Sequence, residues 1–195
     1  MRALESGIYA ILDIDRLAGV LPDDAVGERE LLLAYAAVAV EAGAVALQLR
    51  DKGAPAHSLH LASIYSALVD AFGDRCLIVM NDHLVAVQPV ANRLAVRDAK
   101  SGGADDEAGS EAESAATHAK ALRDAQATAL TARIGLHLGQ GDASPLTARH
   151  ALGNDAVIGV STHNLEQIAH GCELPVDYLG YGPIAATHSK TGAGD

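Results

Sequence analysis

Short apolar runs alternate along this chain with longer stretches whose apolar residues recur every three or four positions. Ile8 to Asp13 reads as a first strand, carrying Tyr, Ile and Leu before the polar Asp13 and Asp15. Glu28 to Ala42 reads as a helix, because Leu32, Tyr35, Ala36 and Ala39 recur at helical spacing and Gly43 follows as a stop. Val45 to Leu49 is a second strand, and Pro55 to Phe72 a second helix closed by Gly73. Cys76 to Met80 is almost wholly apolar, which suits a parallel strand covered on both faces. Asp82 to Val96 is a third helix, kinked or interrupted at Pro89. Ile134 to Leu138 is a fourth strand. Ser144-Pro145 then starts a helix to Leu152, with serine as the cap and proline in the first turn. Ala156 to Val160 is a fifth strand, Asn164 to His170 a short helix, and Val176 to Tyr181 a sixth strand.

Six β/α units in series predict an α/β protein with a parallel sheet and right-handed crossovers. The two candidates are an incomplete (β/α)8 TIM-type barrel and an open doubly wound sheet. The length of 195 residues suits a single domain over residues 1–195. One segment breaks the rhythm. Asp98 to Glu113 holds six acids and one lysine, with Gly102-Gly103, and Thr117 to Leu130 is rich in alanine. Residues 98–132 read as an insertion before the fourth strand, a solvated loop plus a surface helix. A partner-binding acidic segment is the alternative.

Composition narrows the function classes. Of 195 residues 49% are apolar but only 3% aromatic, and 39 are alanine, so small side chains suited to close helix packing supply the core. The formal charge is 14 − 25 = −11, which leaves no basic surface for neutralising nucleic-acid phosphates. The longest apolar stretch, Leu31 to Val40, is about half the length that spans a bilayer. Met1 to Glu5 lacks the apolar core of a signal peptide, so the expectation is a soluble, cytoplasmic protein. Cys76 and Cys172 sit in apolar sequence and are expected to be buried free thiols.

In either architecture, chemistry gathers at the carboxyl ends of the strands. After the second strand comes Gln48-Leu49-Arg50-Asp51-Lys52-Gly53, and after the third Asn81-Asp82-His83. The fourth is followed by His137-Leu138-Gly139-Gln140-Gly141-Asp142 and the fifth by Ser161-Thr162-His163. Gly182-Pro183 follows the sixth, then Thr187-His188-Ser189-Lys190. Arg50, Lys52 and Lys190 bring positive charge to an acidic protein, while Asn81, Ser161, Thr187 and Ser189 bring neutral donors. Asp82 and Asp142 are carboxylates on different loops, the ligand type that Mg²⁺ takes when it shares its shell with phosphate oxygens. The set points to a phosphate- or diphosphate-bearing substrate. No glycine-rich nucleotide loop follows the first strand. His83, His137, His163 and His188 are not spaced as a zinc site.

Taken in order, these segments, with Ile158-Gly159-Val160-Ser161-Thr162-His163, resemble the thiamine-phosphate synthase family. The resemblance implies a (β/α)8 barrel that couples a hydroxymethylpyrimidine diphosphate to a thiazole phosphate and releases diphosphate. It implies that Gln48, Arg50 and Lys52, with Asn81, Ser161 and Lys190, hold the pyrimidine diphosphate. Asp82 and Asp142 would ligate Mg²⁺, and Thr187 and Ser189 would grip the thiazole phosphate. Arg50, Lys52 and Lys190 take the catalytic part, neutralising charge on the leaving diphosphate. Ser189 stands where the family has a second threonine, and His188 where it has proline. A family barrel would continue past the sixth strand with two further strands, so six units are an incomplete barrel. Either another chain, of a homo-oligomer or a partner, would complete it, or the protein is a fragment or truncated paralogue, or the sheet stays open. The related thiazole tautomerase has less need of Asp82 with Asp142, and a non-catalytic paralogue that binds a phosphorylated ligand is the alternative of another class.

Overall fold

Among the described residues six strands, all parallel, lie side by side in the order in which the chain makes them. The structure, a computed structural model, describes residues 6–55, 58–101 and 134–184. The strands are β1 (Ile8–Asp13), β2 (Ala44–Arg50), β3 (Leu77–Asn81), β4 (Ile134–Leu138), β5 (Val157–Thr162) and β6 (Tyr178–Tyr181). The helices are α1 (Ile14–Leu17), α2 (Ala25–Glu41), α3 (Leu59–Phe72), α4 (Leu84–Ser101), α5 (Pro145–Leu152) and α6 (Leu165–Gly171). A doubly wound sheet reverses its strand order at a switch point. No reversal occurs among the described strands, and the sheet curls into a half-barrel. The Tyr9 and Tyr178 hydroxyls, on the first and last strands, meet at 3.0 Å across its concave side.

Alternation along each strand sorts side chains onto two faces. Leu12, Leu47, Leu49, Ile78, Met80, Ile134, Leu136, Leu138, Ile158 and Val160 face outward and pack with Leu32, Ile64, Leu68, Val87 and Leu94 of the helices. That layer is the core, and most of it is buried completely. Tyr65 of α3 is buried within it, and its hydroxyl donates to the carbonyls of Ile78 and Gly135 at 3.1 and 3.3 Å. The opposite, concave face carries the polar residues. The registers Ile11↔Gln48, Gln48↔Val79, Asn81↔His137, His137↔Gly159 and Ser161↔Gly180 set it out strand by strand.

Capping chemistry explains where the helices begin. Asp24 accepts from Val26 N and Gly27 N, so α2 starts three residues before the expected Glu28. Ser58 accepts from Leu61 N, so α3 starts at Leu59 and not at Pro55. Ser144 and Pro145 begin α5 as expected. Asn164 caps α6 by accepting from Gln167 N. The α4 backbone runs through Pro89 to Ser101, so residues 98–101, expected to begin the insertion, continue a helix. The rest of the expected insertion lies outside the described residues. Arg149 of α5 ties the base together: its guanidinium donates to the carbonyls of Gly153, Ala156 and Pro175 and pairs with Asp177 at 2.6 Å. Cys76 is buried as expected, and burial pushes its thiol up to about 11. Cys172 is exposed, against expectation, because it sits past the last turn of α6 where the chain turns toward β6.

Candidate active site

The carboxyl ends of β2 to β5 form one rim, and most of the residues expected there converge. Gln48 and Asn81 are buried on the concave face, and Gln48 Nε2 donates to Asn81 Oδ1 at 2.9 Å. Asn81 Nδ2 is buried and has no partner, so the pair leaves one donor to offer. Asp82 follows at φ 65°, a left-handed conformation few residues other than glycine adopt, and its amide donates to the His137 carbonyl at 2.8 Å. That turn holds its half-buried carboxylate beside Lys52, whose Nζ lies 3.6 Å away.

Asp142 reaches the same place from the β4 loop. Its Oδ2 accepts from Gly139 N at 2.7 Å. A Cβ placed on Gly139 would lie 2.8 Å from Asp142 Oδ2 and 4.0 Å from Asp82 Oδ1, so the absent side chain of this glycine leaves the room in which the two carboxylates meet. Burial raises the Asp82 pKa, and the hydrogen bond and like charge of Asp142 raise it further, against the opposing pull of Lys52. Two oxygen ligands short of positive charge fit a hard divalent cation. Among the described residues no group of three or more His, Cys, Asp or Glu side chains converges as a metal site. A cation held here would therefore take its remaining ligands from water and substrate, the habit of Mg²⁺.

Arg50 is half-buried, paired with Asp13, and 3.7 Å from Asp15. Asp15 also accepts from Lys52 N at 3.0 Å. Asp51 accepts from Gly53 N and Ala54 N, and the His83 ring donates from Nε2 to the Asp51 carbonyl at 2.9 Å. These contacts pin the loop that carries Arg50 and Lys52. Asp13, Asp15 and His83 were not assigned site roles from sequence. The signal available was a pair of acids directly after the first apolar run. Ser161 stands on β5 with its Oγ 2.8 Å from His137 Nε2, and Gln140 Nε2 donates to its carbonyl. Thr187, Ser189 and Lys190 lie outside the described residues.

The chain is similar to proteins of thiamine biosynthesis. The family described as thiamine monophosphate synthase matches residues 107–195. That range takes in Asp142, Ser161, Thr187, Ser189 and Lys190, whereas Gln48, Arg50, Lys52, Asn81 and Asp82 precede it. A thiamine-phosphate synthase of Azorhizobium caulinodans is 52% identical over 60 residues, 31% of this chain and 28% of that protein. One of Chlamydia caviae is 44% identical over 61 residues, 31% of this chain and 29% of that protein. The thiamine biosynthesis bifunctional protein ThiED of Geobacter sulfurreducens is 48% identical over 56 residues, 29% of this chain and 11% of that protein. The matched stretch thus spans less than a third of these relatives.

Proposed function

We propose that this chain, whose residues 107–195 match the thiamine monophosphate synthase family, acts in the synthase reaction. Hydroxymethylpyrimidine diphosphate and thiazole phosphate are the substrates, and thiamine phosphate and diphosphate the products. The observation that carries the reading is the meeting of Asp82 and Asp142 beside Lys52, next to the Gln48–Asn81 pair with its free buried donor. Asp82 and Asp142 would hold Mg²⁺, which when bound supplies positive charge to the departing diphosphate.

The remaining chemistry belongs to the side chains. Gln48 and Asn81 present an amide edge to the pyrimidine diphosphate, and Ser161 a hydroxyl. Arg50, held by Asp13, and Lys52, tethered through its backbone to Asp15, carry cations that need no reorganisation as charge develops on the leaving group. Lys190 adds a third cation, and Thr187 with Ser189 grip the thiazole phosphate. The bond between the pyrimidine's methylene carbon and diphosphate breaks first, and the thiazole nitrogen closes on that carbon. The domain would be a TIM-type barrel in the cytoplasm. A thiazole tautomerase would move a proton without diphosphate departure, which leaves the paired carboxylates without a purpose.

The test is diphosphate release from the two substrates, with and without Mg²⁺. Release should depend on Mg²⁺, and Asp82→Ala should lower it about 100- to 1,000-fold, the cost of losing one preorganised charge-stabilising group, with an unchanged circular dichroism spectrum. Turnover no greater than that of Asp82→Ala would overturn the enzyme reading.

A further inference from the structure

Three hydrogen bonds run in series across the concave face. Tyr9 Oη meets Tyr178 Oη at 3.0 Å, Tyr178 Oη meets His137 Nδ1 at 3.0 Å, and His137 Nε2 meets Ser161 Oγ at 2.8 Å. They join β1, β6, β4 and β5. Both rings are seated by missing side chains. A Cβ on Gly159 would lie 2.0 Å from Tyr178 Cζ, and one on Gly180 would lie 3.1 Å from His137 Cε1. The rings also stack on one another, with centroids 5.5 Å apart and planes 27° apart.

Each hydroxyl has one proton to give and a neutral imidazole one N–H, so the series runs in one of two directions. In one, Tyr9 donates to Tyr178, Tyr178 to His137 Nδ1, and His137 Nε2–H to Ser161 Oγ, which leaves the serine proton free for a ligand. In the other, Ser161 donates to Nε2 and turns only lone pairs to the ligand. A diphosphate oxygen accepts and does not donate, so it is bound by the first direction and repelled by the second. Asn81, the register neighbour of His137, adds a buried amide donor without a partner.

We infer that His137 is a positioning residue: it keeps its proton on Nε2 and so aims the Ser161 hydroxyl at an anionic oxygen of the substrate. This rests on the diphosphate reading proposed above. Glutamine carries an amide donor to the level of Nε2, whereas asparagine reaches only the level of Nδ1. Binding of inorganic diphosphate with Mg²⁺, followed by calorimetry, separates them. Ser161→Ala should weaken binding about tenfold, the loss of one charge-assisted hydrogen bond. His137→Asn should weaken it by a similar factor and His137→Gln by less than about threefold. The double variant with Ser161→Ala and His137→Asn should bind no worse than Ser161→Ala alone. Losses that multiply in the double variant, or equal losses for glutamine and asparagine, would overturn the positioning role. Absence of both diphosphate binding and turnover in the unaltered chain would instead overturn the diphosphate reading itself.

Discussion

Asp82 is held where its own charge is unwelcome. Its backbone is left-handed, its carboxylate is half-buried, and its nearest acidic neighbour is Asp142. A carboxyl whose folded-state pKa is raised favours the fold while protonated, and this contribution is lost as pH rises through the raised value. At neutral pH without metal, Asp82→Asn should therefore melt higher than the unaltered chain, on the order of 2–4 °C if about 1 kcal/mol is recovered. Asparagine tolerates the left-handed backbone. The advantage should vanish below the ordinary carboxylate range, and added Mg²⁺ should raise the melting temperature of the unaltered chain but not of the variant. Thermal melts at several pH values check all three statements. At this scale the sequence discloses the residues that end strands, because polarity after an apolar run is visible without coordinates. Arg50, Lys52, Asn81 and Asp82 were legible in that way. Asp13 as the anchor of Arg50 was not, since the pair joins residues 37 positions apart through a sheet register that no local pattern encodes.

The elements were legible where apolar periodicity met a strong stop or start. β1 and β4 fall where the alternation puts them, and Ser144-Pro145 opens α5. The ends that shifted are those decided by one side-chain hydrogen bond, as at Asp24 and Ser58, where several capping residues compete nearby. Packing between elements is harder to read, and Gly159 shows why. In sequence it is a glycine inside a strand, whereas in the fold the Tyr178 ring of β6 occupies the space of its absent side chain. Gly159→Ala should cost roughly 1–3 kcal/mol in urea unfolding, as overpacking does. Gly141→Ala, where a Cβ meets nothing within 4 Å, should stay within about 0.5 kcal/mol.

Across the described sheet, strand order follows chain order; the six β/α repeats in series left a doubly wound order equally open, and only the family resemblance implied this one. The side chains that bridge the first and last strands were not legible, because Tyr9 and Tyr178 stand 169 positions apart. Among the described residues β1 and β6 each have one strand neighbour, while β2 to β5 have two. Amide hydrogen exchange should therefore be slowest in β3 and β4 and at least tenfold faster in β1 and β6, where opening breaks one ladder and not two. No helix among the described residues is long and apolar enough to cross a membrane. The division of the sheet into an apolar outer face and a polar concave one has a further consequence. Leu47 and Gln48, Met80 and Asn81, or Val160 and Ser161 are adjacent in the chain yet answer to different demands, one to cohesion and the other, on the reading proposed above, to a visiting molecule. A lineage of such chains is therefore free to revise its ligand chemistry at alternate codons, leaving untouched the interleaved codons on which its folding depends.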